Sequence, residues 1–404
     1  MNEWLTTSIN ELISEGSGSI KTGPFGTALK ASEYSTEGVP VISVGEVGYG
    51  ELRLRPATPR VDRGVTSRLP EYVLRAGDIV FGRKGAVDRS AWVKPEQEGW
   101  FLGSDGIRLR LPASVDSRFI SYQMTSPTIR DWLLKHASGS TMLSLNQKTL
   151  GRVSLVLPPL TEQRAIADIL CAFDDKISAN TRLANLSFEL SRAHYAEAKT
   201  RASGHGQLGS IANTVLGGTP SRARPELWAD GTVPWLNSGK ANEERIVDPS
   251  ALITVDALAE SATKLMPVGA TVIAITGATL GQVARLEIEA CGNQSLVGVW
   301  SESGAQTDWL HFAIRDGIPD LLKKATGAAQ QHVNKRDVDS LVVPLLSEVE
   351  LIEFHARVGP LLQAAGCADQ GSKTLALLRD TLLPELMSGR LRVKDVEKKI
   401  EEVV

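Results

Sequence analysis

The chain has little of what metal enzymes and exported proteins advertise. Its 404 residues include three cysteines, Cys171, Cys291 and Cys367, too scattered for a disulfide framework or a zinc cage. Six histidines are equally dispersed, with no pair at metal-binding spacing. No apolar run approaches the roughly 20 residues that cross a bilayer. The opening MNEWLTTSINELISEG lacks the basic-then-apolar pattern of an export signal. Together these absences point to a reducing, cytoplasmic setting without a membrane.

Catalytic signatures are missing as well. No Gly-x-Gly-x-x-Gly follows a strand pattern, and no nucleophile elbow occurs. The Asn/Asp-Pro-Pro-aromatic loop of an amino-methyltransferase is absent, since Pro158 and Pro159 are flanked by leucines. GCADQGSKT (366–374) resembles a phosphate loop, but Ser372 separates Gly371 from Lys373 and no strand precedes it. It reads as part of a helix. A strongly basic arm is lacking too. The formal charge is -3 overall. Residues 1–157 carry 19 Lys+Arg against 16 Asp+Glu, residues 158–203 balance at 6 against 6, and residues 204–343 hold 11 against 15. Binding to nucleic acid would therefore need local patches or a partner.

What the chain does contain is itself, twice. GDIVFGRKGA (77–86) parallels GATVIAITGA (269–278), an apolar strand running into a glycine turn. EGVPVI (37–42) parallels GTVPWL (231–236), ASGSTMLSLN (137–146) parallels ATGAAQQHVN (325–334), and PPLTEQ (158–163) parallels PLLSEV (344–349). Four collinear matches with slowly drifting offsets indicate an internal duplication. Each repeat pairs a stretch rich in short strands and turns with a long helical pattern.

From about Leu160 to Arg201 there is neither proline nor glycine. Ile166, Leu170, Phe173, Ile177, Asn180 and Ala184 recur at alternating spacings of four and three, a coiled-coil seam. Thr161 is placed to cap this helix, and Asn180 reads either as a register-fixing polar residue or as an exposed one, with exposure favoured. About 40 residues at 1.5 Å each make a rod of about 60 Å, which needs a partner. Leu351, Val358, Leu362 and Ala365, then Leu375, Leu378, Leu382 and Leu386, supply one. Gly359–Pro360 should kink it, and Gly366 and Gly371 should weaken it, so two antiparallel segments are expected there. The resulting fold is α+β: two mixed α/β domains related by duplication, 1–157 and 204–343, separated by two long antiparallel coiled-coil-like helical regions, 158–203 and 344–404.

PPLTEQRAIADILCAFDDKI (158–177), LLPELMSGRLRV (382–393), GGTPSR (217–222) with VPWLNSGK (233–240), and QQHVNKRDV (330–338) carry a resemblance to the specificity subunits of type I restriction–modification systems. It covers essentially the whole chain. Two departures stand out: TGPFGT (22–27) replaces the usual Gly-Gly-Thr-Pro opening in the first repeat, and SEVELI (347–352) is a weaker form of the helix start in the second. The resemblance implies a non-catalytic protein whose two target recognition domains each read half of a bipartite double-stranded DNA target. It further implies docking of two methyltransferase (modification) subunits and, through them, restriction subunits. S-adenosylmethionine, ATP and Mg would bind those partners and not this chain. A type II-like methyltransferase or restriction effector would use the same sequence features, and a coiled-coil scaffold that never touches DNA would share the rods. A stand-alone methyltransferase or nuclease would need the motifs found missing above.

Base edges and phosphates are read by Arg, Lys, Asn, Gln, Ser and Thr. In the first repeat the candidates are Arg83 and Lys84 in a glycine turn, Arg89 after it, and Thr141 and Asn146 further on. The turn reads equally well as a solvated hairpin. In the second they are Ser221, Arg222 and Arg224, then Lys240, then Gln330, Gln331, Asn334 and Lys335. Trp92, Trp228 and Trp235 read as core or partner-facing residues before stacking platforms. Glu162, Gln163 and Arg164 at the start of the central helix are the candidates for partner binding.

Overall fold

The computed structural model describes residues 4–26, 28–327 and 331–393. The chain divides into two compact units: Met1–Asp175 with Ala376–Val404, and Lys176–Leu375. Both boundaries fall inside long helices, so the first unit borrows the end of the chain.

Period-two alternation builds the strands. In Gly106–Arg110, Ile107 and Leu109 are buried in the main core of the first unit, while Arg108 and Arg110 project from the other face to Ser19, Glu71 and Asp78. The five-stranded sheet of this unit runs Ser19–Thr22, Gly106–Arg110, Ile79–Gly82, Ser90–Trp92, Tyr49–Gly50. A smaller sheet orders Tyr34–Ser35, Arg60–Val61, Val39–Ile42 and Phe101–Leu102, and Leu5–Ser8 pairs with Ser154–Leu157.

The second unit repeats the wiring of the large sheet and of three strands of the small one, whose fourth strand joins the opposite edge. Its five-stranded sheet runs Asn213–Leu216, Leu296–Trp300, Thr271–Ala274, Val283–Leu286, Arg245–Ile246. Its smaller sheet orders Ala251–Ile253, Val233–Leu236, Ala290–Gly292 and Leu265–Met266, and Gly204–Gln207 pairs with Val342–Leu345. The sense of pairing matches as well. In each large sheet only the edge strand is parallel, Tyr49 opposite Ser90 and Arg245 opposite Arg285. In each small sheet one pair is parallel, Val41 opposite Phe101 at the edge of the first and Trp235 opposite Cys291 in the centre of the second. Duplication therefore extends from the sequence to the topology.

Two helices of 40 residues complete the units, α1 (Leu160–Lys199) and α2 (Glu348–Met387). In the first unit Ile166, Ala167 and Leu170 of α1 share a core with Leu386 of α2, and Asp174 pairs with Arg379. In the second, Ala184 meets Ala365 and Ala368, and Phe188 and Tyr195 share a core with Phe354, Val358 and Leu362. Rising numbers on α1 meet falling numbers on α2, so the two segments are antiparallel within each unit.

Three expectations need correction. The second rod is one continuous helix, not two. Pro360 removes a backbone bond and crowds the preceding turn, at a cost of about 3 kcal/mol, but buried Phe354, Val358, Leu362 and Ala365 on either side hold the helix together. Gly366 and Gly371 are close approaches in place of breaks: a Cβ on Gly366 would strike the Glu287 carboxylate, and one on Gly371 would come within 3.2 Å of Asn180 Nδ2. Asn180 is buried, only 8% exposed, at that crossing. Thr161 lies inside the first turn, because the helix begins at Leu160 directly after Pro159, whose carbonyl accepts from the Glu162 and Gln163 amides. The second repeat does start on a side-chain cap, Ser347 with Glu350.

Candidate nucleic-acid interface

In each unit the glycine turn after the central strand is stitched to a distant loop by the same backbone bonds. In the first unit, Gly85 N–H donates to Leu143 O at 2.8 Å and Leu145 N–H to Arg83 O at 2.8 Å. In the second, Gly277 N–H donates to Gln331 O at 3.2 Å and Val333 N–H to Ile275 O at 3.0 Å. Ser138 and Ser144 close the distant loop of the first unit, and Thr326 and His332 that of the second. Gly139 and Gly327 share a left-handed φ, 107° and 104°, that a residue with a Cβ resists. Each loop then ends on an asparagine cap. Asn146 Oδ1 accepts from Thr149 N–H at 2.8 Å, and Asn334 Oδ1 from Asp337 N–H at 3.1 Å.

The first unit thus brings Arg83, Lys84 and Thr141 into one pair of loops. Arg83 lies 4.3 Å over exposed Phe25 and donates to Ser104 O, and Lys84 pairs with Asp105 at 3.1 Å. Thr141 is exposed beside exposed Met142. Arg89 follows the turn and is joined by residues that the sequence reading missed. Tyr49 is 51% exposed, with Arg130 at 4.1 Å and Arg89 at 5.6 Å from its ring, and its hydroxyl donates to Asp88 at 2.9 Å. Burial pushes the Asp88 carboxyl up, but bonds from Arg130 and Tyr49 outweigh it and hold it below the ordinary carboxylate range. Tyr49 and Arg130 are far apart in the sequence, so no local signal marked this cluster.

The second unit places its polar residues differently. Its glycine turn, Ile275–Thr279, carries no cation. Arg222 is exposed and stacks 3.5 Å over Trp228, whose indole meets buried Trp235 edge-on and donates to Ser221 O. Trp235 is core, as read, and Trp92 is half-buried with its N–H on Ser117. Trp228 packs partly buried against the same core and carries Arg222 on its outer face. Arg224 is held by Glu226 and Glu260, Lys240 by Glu243 and Asp248, and Lys335 by Asp339 and Thr214. These three cations are already neutralised. Ser221 and Gln331 are exposed, and Asn334 is exposed with its carbonyl oxygen spent as a cap. Gln330 lies outside the described residues.

Of the three partner candidates, Arg164 is exposed and Glu162 pairs with Arg392. Gln163 must be withdrawn: it is 2% exposed, donates to Pro158 O and accepts from Asp116 N–H. Its amide locks the start of α1 onto the first unit. Among the described residues no helix is long and apolar enough to cross a membrane.

Paired modules with matching large sheets, each with a glycine turn stitched to an asparagine-capped loop and with arginines laid on aromatic rings, define a duplicated recognition protein. Residues 19–186 and 204–347 match the family described as type I restriction modification DNA specificity domain, and the chain belongs to that family. It is 29% identical over 144 residues to the EcoR124I/EcoR124II specificity subunit of Escherichia coli, a match covering 34% of this chain and about a third (35%) of that subunit. It is 22% identical over 319 residues to the MjaIX specificity subunit of Methanocaldococcus jannaschii, covering 72% and 73% of the two chains. The fold is shared with the crystal structure of the type I restriction–modification system S subunit from M. genitalium. That likeness has a TM-score of 0.67 at 16% identity, over 95% of this chain and 96% of the other.

Proposed function

We propose that this chain is the non-catalytic sequence-specificity subunit of a type I restriction–modification complex, working on chromosomal DNA in the cytoplasm. Each recognition domain reads one half of a bipartite target, and α1 and α2 couple the halves and dock two modification subunits. Methyl transfer from S-adenosylmethionine, and ATP-driven cleavage with Mg, belong to partner subunits. The observation that carries this reading is the duplicated five-stranded sheet with its stitched loop, in a family of DNA specificity domains. Two copies of one module suit two half-sites, as twofold-related readers do.

The chemistry supports different half-sites. The first unit offers Arg83, Lys84, Arg89 and Thr141 from its glycine turn and stitched loop. The second offers Arg222 on its tryptophan platform with Ser221 and Gln331. Asn146 and Asn334 fix the loop ends, and their free amide N–H groups face solvent for contact. Arg224, Lys240 and Lys335 shape the surface through their ion pairs. Arg164 with the Glu162–Arg392 pair marks the candidate docking edge. Genome methylation mapped in cells with and without the gene tests the reading directly. A split motif methylated only when the chain is present is the expected result, and identical methylomes would refute it.

A further inference from the structure

Arg89 stands without a counter-ion although a carboxylate precedes it in the chain. Most half-buried arginines of the first unit have a carboxylate partner: Arg110 has Asp78, Arg118 has Asp116, and Arg130 has Asp88. Arg89 has none within ion-pair distance among the described residues, and its Nε is buried without a hydrogen-bond partner. Such an orphaned donor is costly in a native structure and asks for an explanation. The nearest natural counter-ion is the residue before it. Asp88 is instead bound elsewhere: Tyr49 Oη and Arg130 Nη2 both donate to its Oδ2, at 2.9 and 2.8 Å. Tyr49 sits on the edge strand opposite Ser90, so the sheet register itself delivers the hydroxyl to Asp88. Arg130 comes from Pro127–His136, a separate helix, with its guanidinium over the Tyr49 ring.

We propose that the first unit keeps Arg89 available for DNA by sequestering its neighbouring counter-ion, Asp88, on Tyr49 and Arg130. The fork then takes a pair of acceptors on the duplex, either guanine O6 and N7 or phosphate oxygens. An ion pair with Asp88 would cancel that capacity, as Glu226 and Glu260 do for Arg224. The inference rests on the DNA-reading role proposed above, and deepens it by separating the reading residue from the three that position it.

The test uses the full-length chain with its modification subunits, scored by methylome sequencing and by binding of the purified complex to target duplexes. Arg89→Ala should weaken target recognition roughly ten- to a hundredfold, the range of one good bidentate contact. Tyr49→Phe and Arg130→Met should act in the same direction by releasing Asp88 toward Arg89. Adding Asp88→Asn should restore recognition to Arg130→Met but not to Arg89→Ala, and melting curves of the same proteins separate this rescue from simple restabilisation. Relaxed specificity at one base position identifies guanine as the acceptor. Uniform weakening with a salt slope reduced by about 1 identifies phosphate. Wild-type recognition by Arg89→Ala overturns the proposal, as does a well-folded Arg130→Met/Asp88→Asn protein that stays impaired. A wild-type chain that directs no methylation would instead overturn the functional reading on which the proposal stands.

Discussion

His311 should make the second unit sensitive to acid. It is 0% exposed, its Nδ1 lies 3.0 Å from Thr271 Oγ1, and its Nε2 has no hydrogen-bond partner. Phe188 and Phe312 pack edge-on to the ring. Burial, and then the nearby guanidinium groups of Arg315, Arg285 and Arg245, hold its pKa well below the usual 6.5. The folded protein thus keeps the imidazole neutral while the unfolded chain protonates it. Unfolding takes up a proton below pH 6.5, so stability is complete above that value and falls as the pH drops. One proton corresponds to about 1.4 kcal/mol per pH unit, which sets a ceiling of about 2 kcal/mol on the loss between pH 7 and 5. Glu287 acts with the opposite sign. Burial raises its pKa against the pull of Arg285, so its contribution is greatest at low pH and declines as the pH rises through the folded value. A Glu287→Gln background removes that opposition. Urea titrations at pH 7, 6 and 5, with amide exchange followed at Thr271–Ala274 and in the helix bearing His311, measure the loss within the second unit. His311→Asn keeps a polar group beside Thr271 and should flatten the dependence even if it lowers stability at every pH. In that background, parallel pH curves with and without the His311→Asn change would refute the reasoning.

Removing the loop caps should loosen each reading loop separately: Asn146→Ala and Asn334→Ala should each cost about 1 kcal/mol locally, measured by amide exchange in the short helices they begin. Leu386 is fully buried in the core of the first unit, so Leu386→Ala should destabilise that unit by about 2–5 kcal/mol. Chemical denaturation followed by exchange at Ile107 and Phe119 checks this, and loss of protection confined to the second unit would contradict it. Arg222→Ala should alter one half-site of the methylated motif and leave the other unchanged, since its platform lies wholly within the second unit.

The duplication, the antiparallel rods and the alternation of core strands were legible in the sequence because each is a periodic signal. Period two, the alternating three-and-four seam and a repeat near 190 residues all survive translation into structure. Local breaker rules failed where packing outweighed them. Pro360 sits inside a helix flanked by buried apolar residues, and Gly366 and Gly371 read as weak points although they admit Glu287 and Asn180. Gln163 looked exposed because glutamine usually is, but two backbone partners draw it inside. The site was less readable. Whether a cation is free depends on carboxylates distant in sequence, as Glu260 is from Arg224, and Tyr49 meets Arg130 only through the fold. Side-chain type marked the right loops without revealing which charges were already spent.

The first unit is assembled from both extremes of the described chain, with the 200 residues of the second unit lying between them. During synthesis at about 5–20 residues per second, the nascent first half would wait about 10–40 s for Leu382, Leu383 and Leu386 to emerge and cover Ile166 and Leu170. The second unit carries no such delay. A lesion that stops translation just before Ala376 would therefore leave the second reader able to fold and the first one without its closing helical segment.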